Sequence, residues 1–186
     1  MNIILFGPPG AGKGTQAKYL VKKFDGFQIS TGDLLRNELK SKSKLSEKLK
    51  KIMDSGKLVS DDIINSLIEK KISDPSIKNS IIFDGFPRNI EQAKSLDTML
   101  KKYEQKISVV INLIVDNSIL VKRISGRISC SVCKKPFNEF FDPPGDPAEC
   151  TTAACIGREL IKRSDDNENT VSLSLIHISE PTRPSS

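Results

Sequence analysis

Near its start the chain reads Gly7-Pro8-Pro9-Gly10-Ala11-Gly12-Lys13-Gly14-Thr15, a glycine-rich stretch around which the predicted fold is arranged. The apolar run Asn2-Ile3-Ile4-Leu5-Phe6 precedes it, and this run is too short for a buried helix but suits a buried parallel strand. Beyond it, apolar residues recur at 17, 20, 21 and 24, the spacing of one helix face. The sequence therefore predicts a turn between a strand and a helix that starts near Lys13.

A strand, a glycine-rich loop and a helix in this order are typical of a phosphate-binding loop. Polyphosphate needs several backbone N–H donors pointing inward, and glycines keep side chains out of the way and permit positive φ. The helix adds its positive dipole end, and Lys13 adds a mobile ammonium. Gly14, rather than Ser or Thr, follows Lys13, and the hydroxyl comes at Thr15. We therefore expect Mg²⁺ to be held by the nucleotide phosphates and water.

The rest of the chain alternates short apolar strands with amphipathic helices. We predict strands at 27–29, 81–83 and 109–115, and helices from near Leu34, up to Met53, at 61–72, at 89–103 and up to Arg123. This alternation predicts an α/β fold with a doubly wound parallel sheet. Because functional loops gather at the carboxyl ends of such strands, Thr31 and the stretch 84–88 are expected near the phosphate loop.

Composition excludes several classes of protein. The 186 residues carry a net charge of +6, with 28% charged and 37% hydrophobic residues, which suits one soluble domain with small insertions. The basic residues are scattered along predicted helices, so we read them as solvated faces and expect no nucleic acid partner. No apolar run is long enough to cross a bilayer and no signal peptide precedes the first strand, so we expect a cytoplasmic protein without membrane association.

Two cysteine pairs, Cys130/Cys133 and Cys150/Cys155, are separated by residues 134–149. In a reducing compartment, metal binding is favoured over disulfides. The pairs predict a structural Zn²⁺ site of four thiolates that closes a loop-rich subdomain without a core of its own. The second pair encloses residues 151–154, a longer spacing than the first, so reduced free thiols or one vestigial pair are the alternatives.

Asp84 follows an apolar strand and resembles a Walker B carboxylate, which holds Mg²⁺ directly or through water; a helix-capping Asp is the alternative. Arg88 has the planar fork that clamps phosphate. Other arginines are spread along the chain, and each alone suits a surface position. Together with a phosphate loop, these arginines indicate a site for two phosphorylated substrates. The arginines in question are Arg36, Arg88, Arg123, Arg127 and Arg163.

Four motifs, at 7–15, 30–36, 56–59 and 84–88, together resemble adenylate kinase, and the match runs from residue 1 to about 171. The resemblance implies a fold like that of P-loop nucleoside triphosphate hydrolases. It also implies reversible transfer of the γ-phosphoryl group from MgATP to AMP, giving two ADP, by a monomer in adenine nucleotide homeostasis. One class of the family, largely bacterial, carries a zinc-binding lid. A kinase for another nucleoside monophosphate is the alternative enzyme.

The resemblance also implies which residues hold each nucleotide. The ATP-binding residues would be Gly10, Ala11, Gly12, Lys13, Gly14, Thr15, Arg123, Arg127, Pro136 and Phe137. The AMP-binding residues would be Thr31, Arg36, Lys57, Leu58, Val59, Gly85, Phe86, Pro87, Arg88, Gln92 and Arg163, with Gln92 pairing with the adenine edge. The residues acting on transferring charge would be Lys13, Arg36, Asp84, Arg88, Arg127 and Arg163.

The resemblance divides the chain into a core at 1–29 and 60–126, a helical AMP-binding insertion at 30–59, a lid at 127–164 and the start of a core helix at 165–171. Residues 172–186 have no helical stripe, and Ser174 stands where the family has a further arginine. We read this tail as foreign, from a truncated or chimeric reading frame, and the last strand and helix as missing; a natural short variant is the alternative. The alternative to an active enzyme is then a nucleotide- and zinc-binding fragment with little turnover. Such a fragment would expose an open sheet edge where the last strand is missing.

Overall fold

The computed structural model describes residues 1–41, 43–54, 59–77, 80–133, 135–145 and 159–162, with Cys150, Cys155 and Gly157. The chain forms two compact units. The first comprises Met1–Gly7 and Gly12–Leu113, and the second comprises Pro8–Ala11 and Ile114–Ser186. Within the described residues, no helix has both the length and the apolar character needed to cross a membrane.

The first unit is built on a four-stranded parallel sheet, which confirms the predicted α/β class. Its strands are β1 (Asn2–Phe6), β2 (Phe27–Ser30), β3 (Ile81–Asp84) and β4 (Ile107–Asn112), in the spatial order β2-β3-β1-β4. Its helices are α1 (Lys13–Phe24), α2 (Thr31–Lys40), α3 (Lys44–Asp54), α4 (Asp61–Ile72) and α5 (Ile90–Lys102). β1 pairs in parallel with both β3 and β4.

Alternation along the strands explains why helices cover both faces of this sheet. Ile3 and Leu5 of β1 are buried in one cluster with Ala17 of α1. Ile4, between them, is buried in the other cluster, which includes Ile68 of α4 and residues of α5. Because neighbouring strand residues point to opposite faces, β1 needs the continuous apolar run found in its sequence.

The amino ends of the strands are joined through the side chain of Asn2, which is 4% exposed. Its Nδ2 donates to Gln105 Oε1 at 3.0 Å and to the Lys106 carbonyl at 3.1 Å. Its Oδ1 accepts from the Ile81 N–H at 3.1 Å. One buried amide thus links β1 to the start of β3 and to the turn before β4, which leaves none of these groups unpaired.

Three predicted boundaries are corrected by local hydrogen bonding or pairing. α2 begins at Thr31 rather than near Leu34, because the Ser30 hydroxyl accepts from the Asp33 N–H and caps the helix there. β3 includes Asp84. β4 spans Ile107–Asn112 rather than 109–115, because it pairs with β1 only over that length.

The second unit contains α6 (Asn117–Ser125) and the strands β5 (Arg127–Cys130), β6 (Pro136–Asn138) and β7 (Leu160–Lys162). The strands form an antiparallel sheet in the order β6-β5-β7. A small cluster is buried against it, formed by Ile128, Phe137 and three cysteines. The expectation of a loop-rich subdomain without a core is therefore wrong, because β5 carries alternate residues inward.

A pair of conservative truncations tests this description of the sheet. Ile82 is fully buried in β3, whereas Val110 of β4 is 57% exposed. Ile82→Val removes one methylene group from a packed layer and should lower the free energy of unfolding by about 1 kcal/mol. Val110→Ala removes more carbon but should change it by less than about 0.5 kcal/mol. Urea unfolding measures both, and an equal cost for the two variants would contradict the assigned layers.

Candidate functional site

The phosphate-loop stretch is held by backbone conformations that suit glycine. Gly7 has φ +139°, and a Cβ there would lie 2.6 Å from the Leu113 carbonyl oxygen. Gly12 has φ +94° and stands at the N-terminus of α1. Lys13 Nζ donates to the Gly7 carbonyl oxygen at 2.8 Å. The predicted strand, loop and helix are thus confirmed as elements, and the lysine ammonium reaches back to the backbone of Gly7.

Asp84 ends β3 close to the start of α1. A Cβ built on Gly14 would be 3.6 Å from Asp84 Oδ2. Gln28 of β2 donates from Nε2 to the same carboxylate oxygen at 2.9 Å. Gln28 was not among the predicted site residues, because the pairing of β2 with β3 is visible in the structure and not in the sequence. A carboxylate at this edge, beside a helix N-terminus, is placed to hold a cation that accompanies phosphate.

Thr31, Gly85 and Arg88 meet through the backbone carbonyl of Gly85. The Thr31 hydroxyl donates to that oxygen at 3.0 Å, and Arg88 Nε donates to it at 2.9 Å. An Arg88 terminal nitrogen also donates to Thr31 Oγ1 at 3.3 Å. Gly85 has φ +75°. The structure therefore brings together residues that the sequence placed after two different strands.

Gln92 lies in a second network next to Arg88. Its Oε1 accepts from the Arg88 backbone N–H at 2.8 Å, and its Nε2 donates to Asp61 Oδ1 at 2.6 Å. Asn89 Nδ2 donates to Asp61 Oδ2 at 2.9 Å, and Asn89 Oδ1 caps α5 through the Gln92 N–H. Asp61 and Asn89 were not among the predicted site residues. Their helix-start positions were visible in the sequence, but their contact with Gln92 was not.

Arg36 reaches the N-terminal turn of α2, where it pairs with Asp33 at 2.6 Å. A Cβ on Gly32 would lie 3.0 Å from the Arg36 guanidinium, so this glycine leaves room for the arginine to fold back. A shallow apolar depression lies nearby in the same unit, lined by Thr31, Leu34, Leu35, Ile64 and Leu67. Cationic and apolar groups therefore adjoin in this part of the unit.

Several other predicted residues have environments that the sequence did not reveal. Phe86 is 1% exposed and packs in the main core, so its side chain is part of the structural interior. Pro87 and Val59 are partly buried. Lys57, Leu58 and Arg163 lie outside the described residues, as do Ser174 and the tail.

In the second unit, Gly10 lies against α6, where a Cβ would be 2.7 Å from Ile124 Cγ1. The Arg123 carbonyl accepts from Asn138 Nδ2 at 2.9 Å, and Arg127 begins β5. Pro136 begins β6. Phe137 is 3% exposed within the small cluster, with the Lys135 ammonium 4.9 Å from its ring centroid. Its contact with ATP stays a prediction.

All four cysteines converge in the second unit, including the pair with the longer spacing. Their sulfur atoms all lie within 4.8 Å of one another, and Cys130 and Cys155 Sγ are 3.8 Å apart. A tetrahedral Zn²⁺ with Zn–S bonds of about 2.3 Å needs sulfurs about 3.8 Å apart. The four thiols could therefore hold a metal ion of this kind.

Electrostatics at Cys130 also suit a metal ligand. Burial raises the pKa of the Cys130 thiol, but hydrogen bonds from the backbone N–H groups of Cys133 and Val132 favour the thiolate, and the pKa lies below its ordinary value. The thiolate is the form that binds metal, so the turn after β5 is preorganised for it.

Comparison with known proteins identifies similar chains. A family model described as adenylate kinase matches residues 5–185, a range that includes most of the tail. The chain is 47% identical over 167 residues to an adenylate kinase of Pelagibacter ubique, covering 90% of this chain and 76% of that protein. It is 45% identical over 184 residues to one of Syntrophobacter fumaroxidans, covering 99% and 85%. It is 42% identical over 184 residues to one of Methanothrix thermoacetophila, covering 99% and 84%.

The Asp61 network predicts a pH dependence of stability. Hydrogen bonds from Asn89 and Gln92 lower the pKa of Asp61, against a smaller opposing effect of burial. A carboxyl whose pKa is lower when folded stabilises the protein fully above its ordinary pKa of about 4. This contribution is lost as the pH falls through the lowered value. Denaturant unfolding between pH 5 and 2.5 should therefore show a shallower loss of stability for Asp61→Asn than for wild type.

Asp62→Asn is the matched control, because it removes the same charge from the same turn without removing these hydrogen bonds. Equal pH slopes for Asp61→Asn and the wild-type chain would show that the network is not formed in solution.

Proposed function

The chain belongs to the adenylate kinase family and is an ATP:AMP phosphotransferase, and we propose from this premise which of its residues carry the reaction. The enzyme transfers a phosphoryl group from MgATP to AMP and gives two ADP. The observation that supports the assignment most directly is the meeting of Thr31, Gly85 and Arg88, with Gln92 beside them, in the unit that also carries Lys13 and Asp84.

On the ATP side, Gly10, Ala11, Gly12, Lys13, Gly14 and Thr15 hold the phosphates through backbone N–H groups and the α1 N-terminus. Lys13 leaves the Gly7 carbonyl and follows the charge on the transferring group. Asp84 holds, directly or through water, the Mg²⁺ that arrives with ATP, and Gln28 fixes the orientation of that carboxylate. The ion neutralises charge on the β- and γ-phosphates when bound.

On the AMP side, Arg88 and Arg36 bind the phosphate of AMP. Arg88 is already aimed by the Gly85 carbonyl, and Arg36 exchanges the exposed Asp33 carboxylate for phosphate. The adenine lies beside Thr31 against the apolar side chains of Leu34, Leu35, Ile64 and Leu67, which separate to admit it, and its edge pairs with Gln92. Lys57, Leu58, Val59, Gly85, Phe86 and Pro87 complete this site, with Phe86 acting as the buried support of the loop.

We assign Arg123, Arg127, Pro136 and Phe137 to ATP and Arg163 to both the transferring charge and AMP, on the likeness to the family alone. Residues 30–59 then form the mobile AMP-binding insertion and residues 127–164 the lid. Closing of both excludes water, which competes as phosphoryl acceptor. We also propose that the protein acts as a cytoplasmic monomer without a nucleic acid partner.

We propose that the four-cysteine cluster is a structural Zn²⁺ site. Cys130, Cys133, Cys150 and Cys155 would bind the ion, and its bonds would tie β5 and the turn after it to Cys150 and Cys155. When bound, the ion supplies cross-links rather than chemistry. The fit rests on the sulfur spacing and on the N–H groups that favour the Cys130 thiolate.

One prediction from this proposal concerns turnover. The purified chain should form ADP from ATP and AMP in a coupled assay and should prefer AMP to CMP, UMP and GMP. Lys13→Met removes the ammonium that follows the transferring charge, so kcat should fall at least about a thousandfold. Lys18→Met, at an exposed position of the same helix, should retain activity.

Isothermal titration with a bisubstrate dinucleotide accompanies this assay. Tight binding without turnover by the wild-type chain would favour the alternative of a binding fragment. A preference for a pyrimidine monophosphate would contradict the assignment of AMP.

Another prediction from this proposal concerns the metal. Atomic absorption should find about one equivalent of zinc per chain, and Cys155→Ser should bind less than about half of that and unfold at a lower temperature. Val132→Ser is the control, because it keeps all four thiols and the Val132 N–H and changes a half-exposed side chain. A wild-type chain with less than about half an equivalent would contradict the zinc site.

A further inference from the structure

We propose that Asp61 is a positioning residue that sets the polarity of the Gln92 amide and thereby makes the enzyme select adenine over 6-oxopurines. This inference rests on the proposed pairing of Gln92 with the base. It assigns to Asp61 a role in specificity, without contact with the substrate. The observation behind it is that Gln92 is held between a group that only accepts hydrogen bonds and a group that only donates them.

The acceptor is the Asp61 carboxylate, whose Oδ1 accepts a hydrogen bond from Gln92 Nε2 at 2.6 Å. The donor is the Arg88 backbone N–H, which donates to Gln92 Oε1 at 2.8 Å. A flipped amide would turn its NH₂ toward the Arg88 N–H and its oxygen toward the carboxylate. Both contacts would become repulsive, so a single orientation of the amide is permitted.

Asp61 is itself fixed from its other side. Asn89 Nδ2 donates to Asp61 Oδ2 at 2.9 Å, and Asn89 is held because its Oδ1 caps α5. The hydrogen bonds from Asn89 and Gln92 also lower the pKa of Asp61, so the carboxyl group is charged and acceptor-only at neutral pH. The N-terminal turn of α5 therefore fixes the Asn89 side chain, Asn89 fixes Asp61, and Asp61 in turn fixes the orientation of the Gln92 amide.

Burial of the Gln92 side chain increases the free-energy difference between its two amide orientations. Gln92 is 3% exposed, so water does not satisfy a flipped amide. Burial also means that a base reaches Gln92 only when neighbouring side chains move aside. After its two contacts, the amide keeps one N–H and one oxygen lone pair for a ligand, in a fixed relative position.

Adenine and 6-oxopurines present opposite patterns to such an amide. Adenine carries a donor at N6 and an acceptor at N1, whereas hypoxanthine carries an acceptor at O6 and a donor at N1. An amide of fixed polarity pairs with one pattern in a given pose, whereas an amide free to flip pairs with both. Asp61 and the Arg88 backbone N–H both oppose the flip, and Asp61 is the side chain of this pair that a substitution can change, so it is a testable determinant of base selectivity.

The test compares AMP with IMP, which differ only at the groups that meet the amide. Asp61→Asn keeps the side-chain shape but can present either a donor or an acceptor to Gln92. We expect the Kd ratio of IMP to AMP, measured by isothermal titration, to fall by about tenfold, which is part of the discrimination that one bidentate base contact supplies, because the Arg88 N–H still opposes the flip. In turnover, KM for AMP should rise while kcat changes little.

Three variants complete the design. Asp62→Asn removes the same charge next to Asp61 and should keep the wild-type ratio. Asp61→Glu keeps an acceptor-only carboxylate and should retain most of the selectivity. Should Asp61→Asn fail to fold by circular dichroism, Asp61→Ala removes the acceptor without adding a donor, and its ratio should fall in the same direction.

Gln92→Ala separates this inference from the proposed function. If that variant keeps the wild-type ratio, or if the wild-type chain binds AMP and IMP equally, both the base pairing by Gln92 and this inference are overturned. If Gln92→Ala loses selectivity but Asp61→Asn keeps it, only the inference is overturned. Equal weakening of AMP and IMP binding by Asp61→Asn, with an unchanged ratio, would likewise overturn it and show a structural role alone.

Discussion

The parallel pairing of β1 with β3 is the constraint on which the site depends. Leu5 is in register with Asp84, so the start of the phosphate loop and the carboxylate leave the sheet at the same edge. β2 pairs with β3 so that Ser30 is in register with Asp84, and this brings Thr31 to the same edge. The backbone pairing of these three strands therefore brings together groups from three distant parts of the chain, whatever hydrogen bonds their side chains make.

The sequence was sufficient for features that depend on local pattern. The apolar run of β1, the helical spacing of α1 and the alternation of elements predicted the parallel sheet and the convergence of Thr31 with residues 84–88. Boundaries were less predictable, since the start of α2 depends on a capping hydroxyl and the extent of β4 on its partner. Gln28, Asp61 and Asn89 could not be found, because their importance lies in contacts between elements distant in sequence.

The cysteine cluster shows why spacing along a chain is an incomplete guide to a metal site. The unequal lengths of the two pairs suggested poor geometry, yet the four sulfurs lie together. The small sheet places Cys130 at the end of β5, paired with Leu160 of β7, while Cys155 reaches it from outside the sheet. The distances between the sulfur atoms, and not the spacing of the cysteines along the chain, therefore decide whether a metal ion fits.

The contact between Lys13 and the Gly7 carbonyl bears on the thermodynamics of nucleotide binding. This hydrogen bond restrains the lysine side chain in the folded protein. Much of the conformational entropy of that side chain is therefore lost on folding and not on nucleotide binding. In the proposed binding of ATP, a phosphate oxygen would replace this carbonyl oxygen as the acceptor. On that proposal the lysine would contribute the difference between a hydrogen bond to an anion and a hydrogen bond to a neutral carbonyl, because binding would exchange one acceptor for another.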